Sequence, residues 1–146
     1  MKVYLASSFA LIPRVEELTL ALENAGHQIT VRWWSREYDI PGEGKVKTTD
    51  LKKRYKKLKQ EEFYGHPETE FSYRADLKGV EDADAFIFVA GKAPRPFNGA
   101  NVELGLALAW GKPCYVYGIL PNSVMYWNTT RCDSISALIE ALEAEG

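Results

Sequence analysis

Histidine and cysteine are scarce here, with two of each in 146 residues. Cys114 and Cys132 are too few for a disulfide framework, so they read as reduced, partly buried thiols of a cytoplasmic protein. His27 follows a helix stop and His66 sits in a Gly-His-Pro turn. Neither has a partner at ligand spacing, which argues against a structural metal. Long apolar runs are also missing: the first, Val3-Tyr-Leu-Ala6, is too short for a signal sequence or a membrane span. No charge of one sign dominates, since the net charge is -2 and the pI about 5.7. That balance excludes general electrostatic attachment to nucleic acid, although a single base remains a possible substrate. There is no Walker A sequence, no GxGxxG after a strand and no GxSxG elbow.

What is present is an ordinary globular composition, 46% hydrophobic and 26% charged. The length suits one domain, residues 1–146, able to bury a core without staples. Residues 3–6 read as a strand running into the Ser7-Ser8 loop. A helix should follow from Pro13 to the stop at Gly26, with Val15, Leu18, Leu22 and Ala25 along one buried stripe. Residues 28–33 alternate Ile29, Val31 and Trp33 with polar neighbours, as a strand nearer a sheet edge would. Residues 34–47 hold Pro41, Gly42 and Gly44 and read as a loop. Residues 50–62 read as a solvated helix rich in Lys and Arg, with Leu51, Tyr55 and Leu58 at helical spacing. A further helix is expected over 71–81.

Residues 85–90, Ala-Phe-Ile-Phe-Val-Ala, are apolar on both faces, as the centre of a parallel sheet requires. Helix 102–110, strand 114–117, a long loop over 118–131 and helix 134–144 complete the chain, with Asp133 or Ser134 as the last N-cap. This alternation predicts an α/β three-layer sandwich of flavodoxin-like, Rossmann-like type. Its parallel sheet should have four or five strands in the order 2-1-3-4, with a short fifth. Ligands should then bind beyond the carboxyl ends of the strands, at residues 7–11, 91–101 and 118–128.

Within those segments, Asn98-Gly-Ala-Asn-Val-Glu-Leu-Gly-Leu-Ala-Leu-Ala-Trp110 places Glu103 in the expected first helical turn at the ligand edge. A glutamate there often does no more than complement the helix dipole. Two features favour a larger role. Gly99 and Gly105 admit close approach, and apolar neighbours would desolvate the carboxylate into a stronger nucleophile. A second carboxylate could come from Asp76, Glu81, Asp82 or Asp84. The last two directly precede the central strand, at its amino end, and periodicity does not choose among the four. Ser7 and Ser8 read as loop hydroxyls that cap a helix or hold a substrate oxygen.

Three segments together resemble the nucleoside 2-deoxyribosyltransferase family, including its relatives that hydrolyse nucleoside 5'-monophosphates. They are Val3-Tyr-Leu-Ala-Ser-Ser-Phe9, Asp76-Leu-Lys-Gly-Val-Glu-Asp-Ala-Asp-Ala-Phe-Ile87 and Asn98-Gly-Ala-Asn-Val-Glu-Leu-Gly-Leu-Ala107. The resemblance implies that Glu103 attacks the anomeric carbon, that Tyr4 orients it and that Asp76 protonates the leaving base. It further implies substrate contacts from Ser7, Ser8, Phe9, Phe97, Gly99, Asn101, Asn122 and Met125. No metal or organic cofactor is implied. The implied assembly is a homo-oligomer whose sites are completed by a neighbouring subunit, with residues 122–127 as the donated segment.

Two departures stand out. Phe97 falls where some family transferases carry an aspartate, and it can wall a pocket or stack on a base but cannot hydrogen-bond. The hydrolase branch has a Gly-Ser-Ile-Arg-Gly-Gly-like phosphate loop where this chain reads Ala-Ser-Ser-Phe-Ala-Leu. Arg14 and Arg95 could meet a phosphate, but each reads as a surface residue. The expectation is therefore deoxyribosyl transfer between nucleosides and free bases. The alternatives are a nucleoside 5'-monophosphate N-glycosidase and a non-catalytic nucleotide-sensing domain.

Overall fold

The computed structural model describes residues 1–40 and 44–146. They divide into two compact units, one of residues 1–30 and 79–146 and one of residues 31–78.

The first unit is an α/β layered fold around a parallel sheet. Strand β1 (Lys2–Ala6) leads into helix α1 (Ile12–Asn24) and the short β2 (Gln28–Ile29). Pro13 lies in the first turn of α1, where its missing N–H is not needed, and Gly26 turns the chain at φ +93°. Val15, Leu18 and Leu22 are fully buried, whereas Ala25, the fourth member of the expected stripe, is exposed at the helix end.

In the second unit, the chain forms an antiparallel pair, β3 (Glu37–Ile40) with β4 (Gly44–Lys47). Helices α2 (Thr48–Tyr55) and α3 (Gln60–Tyr64) follow. Helix α4 (Pro67–Asp82) leads back into the first unit. There β5 (Ala85–Val89), α5 (Gly99–Ala109), β6 (Cys114–Tyr117), β7 (Thr130–Cys132) and α6 (Ile135–Glu145) complete the fold. Ser134 caps α6 by accepting the Ala137 N–H.

The sheet order is β2-β1-β5-β6-β7, and every neighbouring pair is parallel. This is the expected order with its short fifth strand. Tyr4 registers with Phe86, and Phe86 with Cys114. All five β5 residues are buried, as a strand covered on both faces demands. Right-handed crossovers running in opposite directions from the sheet centre put α1 and α6 on one face and α5 on the other.

Three local expectations are corrected. The strand predicted over 28–33 stops at Ile29, and residues Trp33–Ser35 form a 3-10 turn. Trp33 and Trp34 are both buried and meet edge to face at 5.4 Å. Adjacent residues cannot share one face of a period-two strand. The loop predicted over 34–47 contains the β3–β4 pair, although Pro41 and Gly42 lie outside the described residues. The single helix predicted over 50–62 is two, broken at 56–59, where Lys56-Lys57-Leu58-Lys59 concentrates like charge.

Cys114 is buried, and burial pushes its thiol up to about 11. At about pH 8 such a thiol is roughly a hundredfold less ionised than free cysteine. In a Cys132→Ser background, Cys114 should therefore react with a disulfide reagent at least about a hundredfold more slowly in the folded than in the denatured protein. Equal rates would contradict this burial.

Candidate active site

Tyr4 stands on β1 with no exposed surface, stacked on Phe86 at 5.8 Å and 19°. Its phenol cannot reach water, so its O–H needs a protein partner. That partner is the Glu103 carboxylate, reached across the sheet face on α5. The helix begins at Gly99, three residues earlier than the sequence suggested, so Glu103 lies in its second turn. The helix dipole fades within the first turn. The Tyr4 O–H is thus the better-placed stabiliser of the charge. Glu103 is half-buried, and Val102 and Gly105 beside it are exposed rather than closed over it.

The other implied acid, Asp76, belongs to the second unit. It lies on α4 one turn after Ser72, and both face residues of β3 and its approach. Arg36 donates to the Asp76 carboxylate, and Tyr38 Oη shares a hydrogen bond with Ser72 Oγ. The Arg36 guanidinium also lies 5.9 Å from the Phe71 ring centre. Burial raises the pKa of Asp76 and outweighs the opposing pull of Arg36. The rival acids are placed differently. Asp84 Oδ2 accepts the Lys2 backbone N–H at 2.7 Å, at the amino end of the sheet, while Lys112 Nζ donates to the carbonyls of Glu81 and Ala83.

A model of the nucleoside 2-deoxyribosyltransferase family matches residues 3–124. The chain belongs to the nucleoside 2-deoxyribosyltransferase family. That membership indicates an enzyme acting on nucleosides or nucleotides. Two solved structures share its fold over nearly their whole length. One is the 2-deoxyribosyltransferase of the psychrotolerant bacterium Bacillus psychrosaccharolyticus, 16% identical at a TM-score of 0.61, covering 95% of this chain and 90% of that one. The other is a CMP N-glycosidase of Clostridium botulinum, also 16% identical, with a TM-score of 0.55 and 99% coverage of both chains. At that identity these likenesses speak for the fold alone. A search of curated proteins finds no match.

In this 2-deoxyribosyltransferase-family chain the remaining implied site residues fall into two groups. The first lies on the segments after β1 and β6 and at the start of α5. Ser7 Oγ donates to the Val89 carbonyl at 2.7 Å, and Phe9 starts a 3-10 turn. Ser8 Oγ is buried with no hydrogen-bond partner among the described residues and caps no helix. A Cβ added at Gly99 would meet nothing within 4 Å. Asn122 and Met125 are exposed.

The second group is already engaged. Phe97 is buried edge to face against Phe88 at 4.8 Å, and its carbonyl accepts from Asn101 Nδ2. Asn101 Oδ1 accepts from Tyr126 Oη at 2.7 Å, which ties the 124–126 turn to α5. Among the described residues no cluster of three or more His, Cys, Asp or Glu is placed to hold a metal, and no helix is long and apolar enough to cross a membrane.

Sequence reasoning missed Arg36, Tyr38 and Tyr126. Arg36 and Tyr38 lie just before and within β3, in a stretch whose sequence reads as loop, so nothing local pairs them with Asp76 and Ser72.

Asp76 holds its proton to higher pH when folded than when unfolded. Its ionisation therefore costs folding stability as pH rises through and above the ordinary aspartate range. A carbon-13 titration should place the Asp76 carboxyl above ordinary aspartates, and Arg36→Gln should move it higher still. A wild-type midpoint at or below that of ordinary aspartates would overturn burial as the dominant cause, and a midpoint that falls in the variant would overturn the opposing pull of Arg36.

Proposed function

We propose that the chain cleaves the N-glycosidic bond of 2'-deoxynucleosides and passes the deoxyribosyl group to an acceptor base. The observation that carries this reading is the hydrogen bond from Tyr4 to Glu103. A phenol buried in the sheet holds a half-buried carboxylate at the edge where such folds bind ligands.

In this reading a Glu103 oxygen attacks C1' and forms a covalent ester. The C1'–N bond breaks with its electron pair moving to the base, and Asp76 supplies the proton. An acceptor base nitrogen then attacks C1', the ester C–O bond breaks, the carboxylate is restored and Asp76 takes a proton back. The transition states resemble an oxocarbenium ion, so a nearby carboxylate lowers both barriers. A carboxyl whose pKa is raised suits the donor role, because it keeps its proton closer to working pH. The unpartnered Ser8 hydroxyl and the open space at Gly99 suit sugar and base contacts, with Ser7 and Phe9 framing them.

The reading includes a second copy of the chain. Val124, Met125 and Trp127 are 87%, 73% and 89% exposed on a turn whose Tyr126 is anchored inward. Exposed apolar side chains on a fixed turn suit an interface, and Asn122 and Met125 would then reach a neighbour's substrate.

The test is deoxyinosine with free adenine, followed by chromatography, with 5'-monophosphates in parallel. Deoxyadenosine should appear. Glu103→Ala should lower its rate at least about a thousandfold, and Tyr4→Phe about ten- to a hundredfold with the melting temperature little changed. Free base released without exchange would move the assignment to hydrolysis. Turnover confined to 5'-monophosphates would move it to the nucleotide N-glycosidases. No turnover at all, with binding intact in Glu103→Ala, would leave a sensor.

A further inference from the structure

A cavity of about 460 Å³ opens beyond the carboxyl ends of β5, β6 and β7, and neither Tyr4 nor Glu103 lines it. Its walls are built from Gly91 and Lys92 after β5, Gly118 and Ile119 after β6, Arg131 and Cys132 of β7, and the start of α6. Arg14 of α1 closes one side. Three cations, Arg14, Lys92 and Arg131, face one acid, Asp133, in a chain whose net charge is -2.

Arg14, expected to be a surface residue, is held in place. Its Nε–H donates to the Ala90 carbonyl at 2.7 Å, and its guanidinium lies 3.9 Å from the Tyr117 ring centre. These contacts use one N–H and one face of the group and leave the Nη edge for a ligand. Among the described residues no carboxylate pairs with Arg14, Lys92 or Arg131.

The floor is rigid. Ile119 N–H donates to the Gly91 carbonyl at 2.9 Å and Gly118 N–H to that of Cys132 at 3.2 Å. Gly118 has φ +109°, and a Cβ there would lie 2.6 Å from the Ala90 oxygen. The strand ends come this close because that side chain is missing. Ala137, in the first turn of the 11-residue α6, adds the positive end of a helix to one wall.

The geometry points to a binding site for a phosphate group, separate from the Tyr4–Glu103 centre. Planar guanidinium groups match the oxygens of a phosphate, and a fixed guanidinium pays little entropy on binding one. The volume exceeds that of a free phosphate and lies in the range of small-molecule sites, so the phosphate of a nucleotide fits as well as the inorganic ion.

Calorimetric titration with inorganic phosphate and with deoxyadenosine 5'-monophosphate tests this, with deoxyadenosine as control. Wild type and Glu103→Gln should bind phosphate equally, while Arg14→Gln and Arg131→Gln should each weaken it at least about tenfold. Arg131 is exposed, so its variant keeps the test valid should Arg14→Gln fold poorly. Equal weakening of the monophosphate would make a nucleotide the source of the phosphate. A monophosphate affinity unchanged by Arg14→Gln, with phosphate weakened, would make it the free ion. The site is overturned if wild type binds no phosphate, if both arginine variants bind like wild type, or if Glu103→Gln loses phosphate as they do.

Discussion

A tyrosine with no exposed surface at the middle of the first strand of a parallel sheet must find an acceptor, because an orphaned buried hydroxyl costs about 1–3 kcal/mol. In this protein the acceptor is Glu103, and much of the first unit is arranged to let the two meet. β1 has to sit inside the sheet, between β2 and β5, so that Tyr4 is sealed. The α5 helix has to cross the face that Tyr4 and Ala6 share. The loop from β5 has to be long enough for α5 to start at Gly99. Asn101 and Tyr126 then pin the start of that helix to the loop after β6. The carboxylate is thus fixed by a residue of the sheet, a placement that suits the nucleophile proposed for it.

The second carboxylate is set by an opposed pair of effects. Burial pushes Asp76 toward its neutral form while Arg36 favours the charged one, and burial prevails. The contact with Arg36 orients the Asp76 carboxyl while burial holds its proton to higher pH. Glu103 differs in that it accepts a hydrogen bond from a buried hydroxyl, that of Tyr4. In the proposed reaction Glu103 is the nucleophile and Asp76 the acid, and these differing environments suit those two roles.

The order of the sheet was legible because strand and helix patterns alternate, and residues 85–90 are apolar on both faces in a way only a central strand explains. Glu103 was legible as a carboxylate at the ligand edge. Tyr4 was not, since on β1 it is one apolar position among four; only the combined motifs singled it out. Asp76 and its rivals looked alike in sequence, and long-range contacts separate them, with Asp84 spent on the Lys2 backbone. The β3–β4 pair was hidden by Pro41, Gly42 and Gly44 in the sequence between Ile40 and Lys45, although Glu-Tyr-Asp-Ile and Gly-Lys-Val-Lys alternate as strands do. With it went Arg36 and Tyr38. The placement of Arg14 over Tyr117 depends on residues about a hundred positions apart, which no local pattern encodes.

The central claim is that Glu103 is the atom-bearing partner of the sugar, and trapping the intermediate tests it most directly. A 2'-deoxy-2'-fluoroarabinosyl nucleoside slows both steps by disfavouring the oxocarbenium-like transition states, so a covalent sugar should accumulate. Peptide mass spectrometry of the trapped protein should find one fluorosugar on Glu103, and none in Glu103→Gln. An adduct on another residue, or turnover of fast substrates with no adduct under any trapping condition, would contradict the account.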